Sequence, residues 1–197
     1  MTMPPSPIRS VAVFCGSRFG HDPAYAQACA ALGAGLANAG LRLVYGGGGV
    51  GLMGIVADAV LSAGGEVLGI IPEFLQRREV AHAGVGAMVV TGTMHDRKRR
   101  MFDAADAFVT MPGGLGTFDE TIEITTWRQL ALHDKPILLC NIAGWAQPYL
   151  AMVQAAVDQG FAAEECLRLY DVLPTVDAVL AHIAALTTPG AGQPERV

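Results

Sequence analysis

Short apolar runs alternate with longer amphipathic stretches along this chain, and the alternation predicts its secondary structure. Six runs are continuously apolar, as strands buried on both faces should be: Ser10–Cys15, Arg42–Tyr45, Glu66–Ile71, Ala87–Thr91, Ala107–Met111 and Pro136–Asn141. Six other stretches have helical character: Pro23–Ala39, Gly51–Ala63, Met94–Ala105, Thr117–Leu132, Trp145–Gln159 and Thr175–Leu186. This order predicts an α/β fold with an open, mostly parallel sheet and helices on both faces.

The length of the chain fits one domain, and no interior segment has the composition of a linker. We expect a single Rossmann-like domain over residues 10–187 of the 197. Residues 1–9 and 188–197 are rich in proline, glycine and polar residues, and we expect both ends to be flexible. In such sheets ligands bind at the carboxyl ends of the strands, so the loops that follow the strands are the places to look for chemistry.

Composition excludes several classes of function. A net charge of −5 argues against binding to nucleic acid. The longest apolar stretch, from Gly51 to Gly65, contains Asp58 and is shorter than the ~20 residues of a membrane span. The four cysteines lie far apart without metal-ligand spacing, which predicts reduced thiols in a cytoplasmic protein and no metal site. Hydrophobic residues reach 52%, and part of that surplus is expected to cover a subunit interface.

Two glycine-rich loops follow predicted strands. In the first, Gly46, Gly47 and Gly48 precede a helix, and with Gly51 they match the spacing of a dinucleotide-binding fingerprint. The second loop contains Gly113, Gly114, Gly116 and Thr117, whose N–H groups could bind a phosphate with the Thr117 hydroxyl as a further donor. Ser17, after the first strand, is either a ligand donor or a turn cap. Neither loop ends in the Gly-Lys-Ser/Thr of a P-loop.

Charged residues accompany these loops. Arg97 and Lys98 fall in the first turn or so of a predicted helix, where the helix dipole disfavours cations by roughly 0.3–1 kcal/mol each. That cost suggests an anionic ligand. Glu120 has two interpretations, because Thr117-x-x-Glu120 also matches a capping box. Glu123 lies one turn further on the same helical face and could also contact a ligand.

These segments together resemble the Lonely Guy family, the cytokinin riboside 5′-monophosphate phosphoribohydrolases, over about residues 10–186. The most specific are Met94-His95-x-Arg97-Lys98 and Pro112-Gly113-Gly114-x-Gly116-Thr117-x-x-Glu120; Cys15-Gly16-Ser17 and the first glycine loop also match. The resemblance implies a homodimer that hydrolyses purine nucleoside monophosphates to free base and ribose 5-phosphate. It does not indicate whether the base is adenine or an N6-prenylated adenine.

The resemblance also implies roles for individual residues. Arg97 and Glu120 would be catalytic. Substrate contacts would come from the Gly113–Thr117 loop and from five further side chains, namely Glu79, Met94, Lys98, Glu123 and Thr126. Hydrolysis needs no redox or electron-sink cofactor, so we expect none. A non-catalytic nucleotide carrier or sensor and a dinucleotide-dependent oxidoreductase remain as alternatives on the sequence alone.

Overall fold

The computed structural model describes residues 7–76 and 81–187. Seven strands form one sheet: β1 Ser10–Phe14, β2 Arg42–Tyr45, β3 Val67–Pro72, β4 Ala87–Thr91, β5 Ala107–Thr110, β6 Ile137–Cys140 and β7 Asp171–Leu173. The α-helices between and after them are α1 Pro23–Asn38, α2 Gly51–Ser62, α3 Glu73–Gln76, α4 Met94–Ala104, α5 Leu115–Gln129, α6 Gln147–Asp158 and α7 Val176–Thr187. Each of these helices is too short or too polar to cross a bilayer.

The strand order places the predicted site. The sheet runs β4-β3-β2-β1-β5-β6-β7, and every strand pairing in it is parallel. From β1 the chain moves outward to β4 and then returns to the other side of β1 to form β5. The strand order therefore reverses between β1 and β5, where open α/β sheets form a ligand crevice. The predicted Rossmann-like parallel sheet is confirmed.

Hydrophobic cores lie on both faces of the sheet. Along β1, Val11 and Val13 belong to the core that packs under α1, α2 and α7, while Ala12 and Phe14 belong to the core under α4, α5 and α6. All five residues of β1 are buried. Burial of one large apolar side chain stabilises a fold by about 1.5–3 kcal/mol, which explains why the strands are continuously apolar.

Several predicted boundaries differ from the structure. Strand β7 and the single-turn helix α3 were not predicted, because three and four residues are too few to show a period. At the start of the chain, Ile8 is buried in the core and the Arg9 N–H donates to the Asp106 carboxylate at 2.9 Å. The folded chain therefore begins before Ser10. Residues 1–6 and 188–197 lie outside the described residues.

His133 fixes the turn between α5 and β6. Its Nε2–H donates to the Ile124 carbonyl at 2.8 Å, and its Nδ1 accepts the Lys135 N–H at 3.1 Å. Both ring nitrogens are thus satisfied only in the neutral imidazole, because protonation of Nδ1 would remove its lone pair. Burial is the main cause that lowers the pKa of His133, and the nearby cations Arg128 and Lys135 lower it further.

Candidate active site

A cavity of about 710 Å³ opens at the carboxyl ends of the central strands. It is large enough for a nucleotide-sized ligand, since small-molecule sites span roughly 300–1,000 Å³. The loop after β1, the end of β2, helix α4 and the loop between β5 and α5 all contribute to its wall. The predicted site residues that line it are Ser17, Gly46, Arg97, Gly113, Gly114, Gly116, Thr117 and Glu120.

The amino end of α5 faces this cavity. Gly114 is the N-cap, and the hydrogen bonds of the helix begin with the Phe118 N–H, which donates to the Gly114 carbonyl at 3.1 Å. The N–H groups of Leu115, Gly116 and Thr117 come before this first bond and therefore have no acceptor within the helix. Together with the positive end of the helix dipole, they form an arrangement suited to an anion such as a phosphate.

The loop before α5 is held by its carbonyl groups. The Pro112 carbonyl accepts the Gly16 N–H at 3.0 Å, and the Gly113 carbonyl accepts the Trp145 indole N–H at 3.1 Å. A Cβ atom at Gly113 would lie 2.9 Å from the Gly16 nitrogen and would also collide with the Thr117 side chain. Glycine is required at this position because two segments of backbone approach each other so closely.

Glu120 does not cap α5. The capping-box interpretation needed Thr117 as the N-cap, but the helix starts two residues earlier and Thr117 is the third helical residue, buried at 3% exposure. That interpretation is wrong for Glu120, which is half-buried in the cavity wall. The similar Thr93–Asp96 pattern does form a cap, with the Thr93 hydroxyl accepting the Asp96 N–H at 3.1 Å. The position of Glu120 therefore requires another explanation than helix capping.

Arg97 is a buried cation at the base of the cavity. Its side chain reaches under the sheet edge, where Nε donates to the Ile70 carbonyl at 3.2 Å and Nη2 donates to the Gly46 carbonyl at 3.3 Å. Nη1 lies 3.6 Å from the Met94 sulfur. With 6% exposure, the guanidinium is fixed by main-chain acceptors from β3 and the end of β2. The rigid positive charge can thus orient an anionic or hydroxyl-rich ligand.

The first glycine loop does not form a dinucleotide site. The N–H groups of Leu52 and Met53, at the start of α2, both donate to the Gly16 carbonyl, at 3.0 and 3.3 Å. These donors are the ones that a pyrophosphate would need, so the structure does not favour the dinucleotide alternative. Gly46 lines the cavity, whereas Gly47 has φ +76° and fits against Ile71. Gly48 pairs with Ala81 in an isolated bridge.

Lys98 and Glu123 form a bridge between α4 and α5. The Lys98 ammonium lies 3.1 Å from the Glu123 carboxylate and 3.2 Å from that of Asp119. Burial by itself would lower the pKa of Lys98, but the hydrogen bonds that its ammonium donates to the Glu123 and Asp119 carboxylates raise that pKa above its ordinary value. Lys98 is therefore charged, and the carboxylates of Asp119 and Glu123 are its partners. The sequence analysis did not predict this pairing. The two carboxylates offset the unfavourable interaction between the Lys98 charge and the positive end of the α4 dipole.

Two other predicted contacts, Thr126 and Met94, do not line the described wall of the cavity. Thr126 is exposed, and its hydroxyl donates to the Ile122 carbonyl of its own helix at 2.8 Å. Met94 contacts the Arg97 guanidinium instead. Glu79 is outside the described residues. Substrate contact by these residues, and by Lys98 and Glu123, stays a prediction.

Cavity residues that sequence reasoning missed include Arg18 and Phe19 on the rim and Trp145 beside the α5 loop. The Gly144-Trp145 pair after β6 was the available signal, since it too follows a strand. Cys15 lies in the wall, where a hydrogen bond from Cys29, burial and the charge of Glu120 all raise the pKa of its thiol. Among the described residues, no three His, Cys, Asp or Glu side chains gather as metal ligands.

Comparison with known proteins identifies relatives over most of the chain. A family described as "Possible lysine decarboxylase" matches residues 53–183. The rice protein named cytokinin riboside 5′-monophosphate phosphoribohydrolase LOG is 44% identical over 170 residues, covering 86% of this chain and 70% of the relative. The Arabidopsis thaliana protein of the same name, LOG2, is 42% identical over 175 residues, covering 89% and 82%.

Solved structures agree with the fold. The molybdenum cofactor carrier protein of Chlamydomonas reinhardtii superposes with a TM-score of 0.68 at 21% identity, covering 90% of this chain and 96% of that one. The molybdenum cofactor binding protein of Rippkaea orientalis also gives 0.68, at 18% identity, covering 91% and 98%. Such low identities establish the shared architecture alone. The sequence relatives are much closer, and the chain belongs to the Lonely Guy family of cytokinin riboside 5′-monophosphate phosphoribohydrolases.

Proposed function

We propose that this protein hydrolyses the N-glycosidic bond of purine nucleoside 5′-monophosphates, releasing the free base and ribose 5-phosphate. One observation carries the proposal: Arg97 and Glu120 line the same cavity as the amino end of α5. A phosphate anchor, a fixed cation and a carboxylate are thus combined at the switch point of the sheet. Relatives that carry the name of this activity are 40–44% identical to the chain, which supports the same assignment.

The reaction uses these groups in a defined order. The 5′-phosphate binds the N–H groups of the Gly113–Thr117 loop, and this binding energy, remote from the bond that breaks, orients the ribose. Cleavage of the C1′–N9 bond leaves positive charge on the ribose, as in other glycosyl transfers. The Glu120 carboxylate stabilises that charge and accepts a proton from the attacking water. The water oxygen bonds to C1′ as the C1′–N9 bond breaks, and the departing base takes up a proton from solvent at a ring nitrogen. Glu120 then releases its proton to solvent, while Arg97 holds the sugar phosphate in place.

The surroundings of the two lysines argue against the amino-acid decarboxylation that the family description mentions. Amino-acid decarboxylation uses a carbonyl cofactor as electron sink, bound through a neutral lysine amine. Lys98 and Lys135 are the only lysines, and the carboxylates around Lys98 favour its charged form. Burial lowers the pKa of Lys135, but this amine donates to the Phe102 carbonyl at 2.7 Å in the turn before β6 and does not line the cavity. Neither amine is suited to form a Schiff base in the cavity.

We propose that the protein is a homodimer and that it is cytoplasmic. A homodimer is supported by large apolar side chains that are exposed at the end of α5, with Leu130 at 62% and Leu132 at 66% exposure. Light scattering after size-exclusion chromatography tests this, and a monomer at micromolar concentration would refute it. A cytoplasmic location is supported by four reduced, buried cysteines.

The activity is tested by incubating the protein with AMP and with N6-isopentenyladenosine 5′-monophosphate and separating the free base by chromatography. Replacement of Glu120 by glutamine should lower turnover by about 100-fold or more, because a catalytic carboxylate supplies roughly 10²–10⁴-fold. Asp119→Asn is the matched control: Asp119 neighbours Glu120 in α5 but pairs with Lys98. The faster substrate identifies the preferred base.

Two outcomes would contradict the proposal. If the wild-type protein binds both nucleotides but releases no base, the protein is a nucleotide carrier or sensor. If Glu120→Gln turns over as fast as the wild type while Asp119→Asn does not, the carboxylate has been assigned to the wrong residue.

A further inference from the structure

Trp145 is hydrogen-bonded to the Gly113–Thr117 loop through the only polar atom of its side chain. The indole Nε1–H donates to the Gly113 carbonyl at 3.1 Å, and the indole plane stacks on the Phe118 ring with centroids 5.2 Å apart and planes 2° from parallel. The turn that carries Trp145 is itself fixed, because the Asn141 side chain accepts the Ala146 N–H at 2.8 Å. The indole is therefore held from both sides, by its own turn and by the first turn of α5.

The direction of the Gly113 carbonyl determines the direction of the next N–H group. In a trans peptide unit the C=O and N–H bonds point to opposite sides, and the described chain contains no cis peptide bond. Since the Gly113 carbonyl points to Trp145, the Gly114 N–H points away from it. The Pro112 carbonyl accepts a hydrogen bond from the Gly16 N–H, so the Gly113 N–H of the same peptide unit points away from Gly16. Both peptide planes are thus oriented through their carbonyls.

The geometry points to Trp145 as a positioning residue for phosphate recognition: its indole N–H fixes the 113–114 peptide plane, so that the loop N–H groups converge with those of α5 on one anion. This inference rests on the proposed function, because it takes the 5′-phosphate as the anion. Trp145 acts on the phosphate end of the substrate only. Its loss should therefore weaken binding of ribose 5-phosphate and leave binding of the free base unchanged.

The test compares Trp145→Phe with Tyr149→Phe by isothermal titration calorimetry with ribose 5-phosphate and, separately, with adenine. Phenylalanine keeps an aromatic ring on Phe118 but lacks the N–H donor. Tyr149 also stacks on Phe118, at 6.2 Å, while its hydroxyl contacts Thr125 and not the loop. We expect Trp145→Phe to weaken ribose 5-phosphate about fivefold, the effect of one neutral hydrogen bond, and Tyr149→Phe to bind it like the wild type. In turnover assays KM for the nucleotide should rise with kcat nearly unchanged.

Unchanged ribose 5-phosphate binding by Trp145→Phe would overturn the inference, as would an equal loss in both variants, which would assign the effect to the aromatic stack. A parallel loss of adenine binding would show general damage to the cavity and overturn it too. The proposed function fails separately: a wild-type protein that binds ribose 5-phosphate but cleaves no nucleotide would refute the hydrolase and leave the comparison of the two variants intact.

Discussion

Replacement of Gly46 by alanine would test whether the position of the Arg97 guanidinium governs activity. A Cβ atom at Gly46 would collide with Nη2 of Arg97 and would lie 3.2 Å from both its Cζ and the Met53 sulfur. The backbone of Gly46 does not need a positive φ, so alanine itself is not strained. The methyl group instead displaces the Arg97 guanidinium. This displacement breaks the hydrogen bond that Nη2 donates to the Gly46 carbonyl.

Gly46→Ala is expected to lower kcat/KM strongly and to leave the protein folded. A displacement of about 1 Å in a catalytic group can lower the rate on the order of 100-fold. Overpacking typically costs about 1–3 kcal/mol, against about 5–15 kcal/mol for the stability of a domain, so the variant should remain folded. We therefore expect kcat/KM for the nucleotide to fall by about two orders of magnitude, with a loss of about 1–3 kcal/mol in the free energy of unfolding.

The assay measures kcat/KM by release of the base and the unfolding free energy by urea denaturation. Gly92→Ala is the control, because Gly92 lies just before α4, the helix that carries Arg97, but a Cβ atom there would meet nothing within 4 Å. The reasoning is refuted if Gly46→Ala retains wild-type kcat/KM. It is also refuted if Gly46→Ala binds and turns over normally once corrected for the fraction that is unfolded.

Three further predictions follow from the electrostatics. Because the pKa of His133 is lowered in the folded state, its neutral form stabilises the fold above the unfolded pKa of about 6.5, and this stability is lost as the pH falls below that value. Urea unfolding at pH 7.5 and 5.5 should show a smaller pH effect in His133→Gln than in the wild type. Lys98→Met leaves the Glu123 carboxylate without its partner, so it should lower the free energy of unfolding by about 1–3 kcal/mol with little change in KM. A raised KM at unchanged stability would instead indicate that Lys98 contacts the substrate. Burial raises the pKa of Cys140 to about 12 and that of Cys15 is also raised, so iodoacetamide at pH 8 should label neither thiol until urea is added; rapid labelling of the native protein would contradict their assignment to the core.

Most of the fold could be predicted from the sequence, because the hydrophobic patterns of strands and helices are local. Six of the seven strands are continuous apolar runs, and their alternation with helices leaves few possible arrangements. The carboxyl ends of the strands were the correct place to search, since Arg97, Glu120 and the Gly113–Thr117 loop all meet there. Spacing and residue type drew attention to these groups, and the family resemblance supplied the catalytic roles that are proposed for Arg97 and Glu120.

The errors arose where a distant segment decides the outcome. The first glycine loop has the letters of a dinucleotide site, but the carbonyl of Gly16 takes the α2 donors, and no pattern within the loop reports that contact. The pairing of Lys98 with Asp119 and Glu123 was not predicted, because the two carboxylates lie on another helix. At α5, the glycines concealed an early helix start, so that Thr117 was mistaken for the N-cap.

The loop at the start of α5 presents main-chain donors, and this affects which mutations the site can tolerate. Every residue except proline has a backbone N–H, so substitutions at Leu115, which is 88% exposed, leave that donor in place. Neutral drift can therefore alter the side chains of this loop without deleting its amide groups. The residues that orient the peptide planes become the sensitive positions, and random mutagenesis should find changes that weaken substrate binding at Trp145 and Gly16 more often than at Leu115.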